Sequence, residues 1–152
     1  MTGAPLTTTA RQLALIDELR GRAFPSQRGP AAAGESGPGF HLARIWQSPP
    51  LWDADPAEAV EIREDCAAEL AALIAVLSLR WGEPADVELS AELERTAMGL
   101  PVAPPLDVLC ALVPRVHTWR VAGRWVAVGA GQSGPELPCQ VLAAVADARG
   151  PG

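Results

Sequence analysis

The sequence predicts an α+β fold: a small, mostly antiparallel sheet of about four strands, including a C-terminal hairpin, with helices packed on one face. Three observations predict it. The stretch from Asp55 to Trp81 places an apolar residue at every third or fourth position. Two alternating runs flank Ala122-Gly123, as in a tight hairpin. The segments follow one another as helix, strand, helix, strand, helix, hairpin, helix, within 152 residues. That length suits a single domain over 1–152 that buries enough surface to need neither disulfide nor metal.

Taken in order, Thr9-Ala10-Arg11-Gln12 reads as a capping box opening a helix to about Arg20, with Leu13, Ile16 and Leu19 or Arg20 on one face and Gly21 as the stop. Residues 26–39 are rich in Gly, Pro, Ala and Ser without apolar period, and read as a flexible linker or long loop. Phe40 to Gln47 alternates as a strand, with Phe40, Leu42 and Trp46 on one side and Ala43 and Ile45 on the other. Asp55-Pro56-Ala57-Glu58 starts the long helix: Asp caps and Pro occupies the first turn. Its inward stripe is Ala59, Ile62, Cys66, Leu70, Leu73 and Leu77. The second half is apolar on nearly every face, so burial is expected there. Val87 and Leu89 fit a short strand, and 91–104 a helical turn followed by a Pro-rich loop. A short helix follows over 105–113, with Leu106, Leu109, Cys110 and Val113 inward. After strands over 115–121 and 124–129, a last helix is expected over 137–148.

Composition narrows the function classes. All 12 basic residues are Arg, Tyr is absent, and Ala, Pro and Gly abound, as in proteins from GC-rich bacteria. The net charge of −6 weighs against general nucleic-acid binding, where a basic footprint supplies most of the affinity. Cys66, Cys110 and Cys139 are odd in number and lack Cys-x-x-Cys spacing, which fits a reducing compartment. Residues 1–9 show no signal-peptide pattern, and the longest apolar run, Leu70 to Leu79, is far short of a bilayer span of about 20 residues. The expectation is a cytoplasmic protein with no membrane segment. No oligomeric state follows from the sequence.

No motif points to catalysis, a cofactor or a metal, and the chain is expected to be non-enzymatic. Gly129-Ala130-Gly131-Gln132-Ser133-Gly134 spells G-x-G-x-x-G, but it follows a hairpin strand, and Pro135 and Pro138 remove amide donors a phosphate cradle would need. It is read as a flexible loop followed by a Ser133-x-x-Glu136 helix cap. His41 and His117 fall on strands without ligands at metal spacing, so each is expected to be a hydrogen-bonded structural histidine. Cys66 and Cys110 lie on apolar stripes, where a thiol acts as a small hydrophobe.

Two surfaces remain. Glu58, Glu61 and Asp65 share one face of the long helix, beside Glu64 and Glu69; they are either a solvated face or an acidic docking surface. The adjoining loop, Trp52, Asp53 and Asp55, borders the Pro-rich turn after Trp46, and its tryptophans are either interface residues or core anchors. Trp119, Arg120, Arg124 and Trp125 interleave on the hairpin. They could stack bases, as single-strand binders do. The competing reading pairs Arg120 with Trp125 across the strands and puts Trp119 in the core with Val121 and Val126.

Arg80-Trp81-Gly82-Glu83-Pro84, together with the run from Trp119 through Arg124-Trp125-Val126-Ala127-Val128-Gly129 to Glu136-Leu137-Pro138, resembles small uncharacterised proteins of high-GC bacteria. Some of those are similar to immunity proteins encoded beside secreted toxins. The resemblance covers about a third of the chain and implies a protein that blocks a partner by binding it. The expectation is therefore a protein-binding module that meets a basic partner through Trp52, Asp53, Asp55, Glu58, Glu61 and Asp65. The alternative is nucleic-acid or nucleotide binding through the Arg/Trp hairpin and the glycine loop.

Overall fold

A computed structural model describes residues 8–147. They form α1 (Thr8–Gly21), β1 (Gly29–Ala31), β2 (Gly34–Gly37), β3 (Phe40–Gln47), α2 (Pro56–Trp81), β4 (Ala85–Glu88), α3 (Ser90–Ala97), α4 (Leu106–Leu112), β5 (Arg115–Val121), β6 (Arg124–Gln132) and β7 (Cys139–Asp147). The fold is α+β, and its sheet has seven strands in the order β1-β2-β3-β7-β6-β5-β4, every pair antiparallel. No helix among the described residues is long and apolar enough to cross a membrane.

The sheet exceeds the expected four strands for two reasons. Residues 26–39 were expected as a linker, yet they pair as the hairpin β1–β2 and extend β3 outward. Arg28 ties this hairpin down: its guanidinium reaches Glu35 at 2.9 Å and Asp107 on α4 at 2.7 Å. The C-terminal stretch expected as a helix over 137–148 is instead β7, between β3 and β6, and residue 148 lies outside the described ones. Cys139, Val141, Ala143 and Val145 enter one core; Leu142, Ala144 and Ala146 enter the other. A strand buried on both faces reads as a continuous apolar run, which short-range pattern does not separate from a helix.

Helices cover both faces of the sheet, not one. On the first face α1 and α2 pack against Ala43, Ile45, Trp119, Val126, Val128 and Val141. On the second, α4 brings Leu106, Leu109, Cys110 and Val113 against Leu42, Trp125, Ala127 and Leu142. The expected inward stripes of α2 and α4 both lie in these cores. Trp46 packs with the first core, opposite to its expected side, because a β-bulge between Arg44 and Trp46 breaks the alternation of β3.

Local chemistry sets the element ends. Asp55 caps α2, accepting from the Glu58 backbone N–H at 2.8 Å, with Pro56 in the first turn. Ala122 and Gly123 both have positive φ, 48° and 79°, as a two-residue turn between twisted strands requires. The capping-box reading of α1 does not hold. Thr9 is within the helix, and Gln12 is buried with its Nε2 donating to Glu69 at 3.1 Å. The burial expected for the second half of α2 holds only on its inner side. Ala72 and Ala75 face outward, and Leu79 is 88% exposed.

Candidate functional site

Leu51 is buried, and its backbone N–H donates to the Glu136 carbonyl at 3.1 Å, anchoring the loop that enters α2. The loop then turns, with the Ala54 N–H returning to the Leu51 carbonyl at 3.1 Å. This turn projects Trp52 outward, 67% exposed. Asp53, Asp55, Glu58, Glu61 and Asp65 follow, all exposed. None of these five, nor Glu64, forms an ion pair with an arginine among the described residues.

The carboxylates act on one another. A hydrogen bond that the protonated Glu58 carboxyl donates to the Asp55 carboxylate raises Glu58 above its usual range, and the charges of Asp55, Asp53 and Glu61 push it the same way. The Glu58 backbone N–H and then its side chain hold Asp55 below its usual range. Between residues 53 and 69 stand seven carboxylates and one guanidinium, that of Arg63. This short segment therefore carries a formal charge equal to the whole chain's −6, and the remainder is balanced. From Asp65 the same helical face continues through Ala68, Ala72, Ala75 and Leu79, all exposed. Small side chains there let another surface come close.

The hairpin residues have different surroundings. Trp119 is buried in the first core, donates from Nε1 to the Gly82 carbonyl at 2.8 Å and meets Trp81 edge-on at 5.8 Å. Trp125 is buried in the second core. Arg120 lies opposite Trp125 in register, as expected, and is exposed. Arg124 stacks over Phe24 at 4.1 Å and donates to the Leu19 and Arg22 carbonyls. Neither indole presents a free face for a base.

The glycines of the G-x-G-x-x-G run serve packing. Gly129 and Gly131 lie within β6 and not in a loop, and residues 133–137 form turns and bends and not a helix start. A Cβ on Gly129 would stand 2.6 Å from the Arg115 carbonyl oxygen, and one on Gly131 2.1 Å from that of Leu112. The absent side chains admit the segment joining α4 to β5. The Gln132 Nε2 holds the following turn by donating to the Pro135 and Leu137 carbonyls.

His117 Nδ1 meets Asp86 Oδ1 at 2.6 Å on the outer pair β4–β5, where Asp86 is largely exposed. His41 is buried and hydrogen-bonded: Nδ1 lies 2.7 Å from Ser36 Oγ and Nε2 3.1 Å from the Arg22 carbonyl oxygen. Burial lowers its pKa below the ordinary value, with further lowering from the charges of Arg22 and Arg124. Cys66, Cys110 and Cys139 are free, buried thiols. Burial pushes Cys66 up to about 12, so it stays a neutral thiol near pH 7. No group of three or more His, Cys, Asp or Glu able to hold a metal occurs among the described residues.

Sequence reasoning missed the meeting of Ser36 with His41. Pro38-Gly39 was the available signal, because a Pro-Gly pair marks a tight turn. Gly39 has a φ of 81°, and the turn it closes sets Ser36 directly across from His41. Comparisons with protein-family models, curated proteins and solved structures find no match for the chain.

Proposed function

We propose that the chain is a protein-binding module, of the immunity or inhibitor type, that docks a basic partner on the exposed face of α2 and the Trp52 loop. The observation that carries this reading is the concentration of the chain's entire net charge between residues 53 and 69, on side chains that no arginine neutralises among the described residues. Such a patch steers a cationic surface during encounter and fixes its orientation. Cationic side chains placed among Asp55, Glu58 and Glu61 would relieve the mutual repulsion that, after the hydrogen bond to Asp55, adds to the raising of Glu58. Trp52 supplies the aromatic anchor typical of an interface centre, exposed here without a neighbour to cover it.

The test is the association rate with the partner recovered alongside the wild-type chain from its native cell. Replacing Glu61 and Asp65 together by Lys leaves the Asp55 cap intact and makes the net charge four units more positive. Association is expected to slow at least about tenfold at low salt, within the range that electrostatic steering spans, and its salt dependence to flatten. Unchanged association would remove this face from the account.

A further inference from the structure

We propose that Ser36 and His41 form a nucleophile–base pair able to take the acyl group of a small ester, an activity that the docking reading does not use. Ser36 and His41 are directly opposed residues of β2 and β3, so the sheet itself holds the hydroxyl 2.7 Å from Nδ1. The tautomer follows from the partners. The Arg22 carbonyl can only accept, so Nε2 carries the proton and donates to it at 3.1 Å. Nδ1 is therefore the free lone pair and accepts from the Ser36 hydroxyl. Nucleophile, base and orienting acceptor are then in line, the relationship that activates a serine in acyl transfer.

The environment supports the same chemistry. Both side chains line a cavity of about 460 Å³ whose walls include Phe24, Pro25, Pro30 and Ala31, which suits a short apolar acyl group. The Arg22 carbonyl is fixed from a second side by the Arg124 guanidinium at 2.8 Å. Burial and the positive charges of Arg22 and Arg124 oppose a proton on His41, which leaves Nδ1 free to act as the base. Arg22 is in turn paired with Glu18.

In the reaction, Oγ forms a bond to the carbonyl carbon while its proton passes to Nδ1. The C–O bond to the leaving alcohol breaks, and that oxygen takes the proton from Nδ1. Water then loses a proton to Nδ1 as its oxygen bonds the acyl carbon; the Oγ–acyl bond breaks, the acid leaves, and Oγ takes the proton back from Nδ1.

The test treats the full chain with an alkyl fluorophosphonate, which replaces fluoride by a serine oxygen, and locates the adduct by peptide mass spectrometry. A single adduct on Ser36 is expected, absent in Ser36→Ala and formed about 100-fold more slowly in His41→Asn, the lower end of what a general base contributes. Because His41 is a substituted core residue in that variant, the wild-type rate is also followed against pH. It is expected to stay level around neutral pH and to fall only below the ordinary histidine range, as His41 gains a proton. No adduct, an adduct on another residue, or a rate that already falls above the ordinary histidine range would each overturn the proposal.

Discussion

Gly131→Ala is expected to destabilise the protein by about 3 kcal/mol, at the upper end of the cost of overpacking a filled interior. The new Cβ would stand 2.1 Å from the Leu112 carbonyl oxygen and 2.9 Å from the Val113 Cα. Both obstacles are backbone, so no rotamer change relieves them. Relief requires the end of α4 to lift from the sheet, taking Leu109, Cys110 and Val113 out of the second core. Gly134→Ala is the matched control, because its Cβ would meet only the Leu137 side chain at an ordinary 3.5 Å. That change should stay within about 0.5 kcal/mol of wild type. Urea unfolding read as midpoint and slope checks both. Equal midpoints would mean that Gly131 is not the point of closest approach between α4 and the sheet.

Leu73→Ala is expected to cost about 2–5 kcal/mol, the range for a large aliphatic side chain removed from a packed core. Leu73 has no exposed surface and lies in the first core with Leu77, Val126, Val128 and Val141. The loss adds the transfer free energy of the deleted atoms to that of the cavity they leave. Leu79 is on the same helix and of the same type, yet 88% exposed, so Leu79→Ala should change stability by no more than about 0.5 kcal/mol. The pair reads out which side of α2 is core. Similar losses from both would contradict the orientation on which the docking face depends.

These contrasts show where the sequence was readable. The Asp55-Pro56 start and three-or-four spacing of α2, the alternation of β3 up to its bulge, and the Ala122-Gly123 turn each express a local rule, and each appears where expected. The failures were non-local. Val141 to Ala146 is apolar at every position because two cores claim alternate residues, a fact visible only once both helical layers are placed. The hairpin β1–β2 has almost no apolar pattern; it is held by pairing to β3 and by Arg28 reaching Asp107 from 79 residues away. Leu79 shows the opposite error, since an apolar residue in a helical run need not be inside.

The site was partly legible for the same reasons. The acidic run and Trp52 could be read directly, and exposure agrees with a surface role for each of them. The aromatic half of the hairpin could not be assigned from interleaving alone, because alternate residues of a strand go to opposite faces. Trp119 went to one core and Trp125 to the other. Ser36 and His41 met through a register that composition concealed.

The most direct measurement of the docking claim is amide hydrogen exchange of the chain, free and in complex with the partner recovered from its native cell. Slowed exchange confined to the 51–65 segment and the outer face of α2 is expected. Protection instead along β1 or β4, the two open edges of the sheet, with 51–65 unchanged, would contradict it.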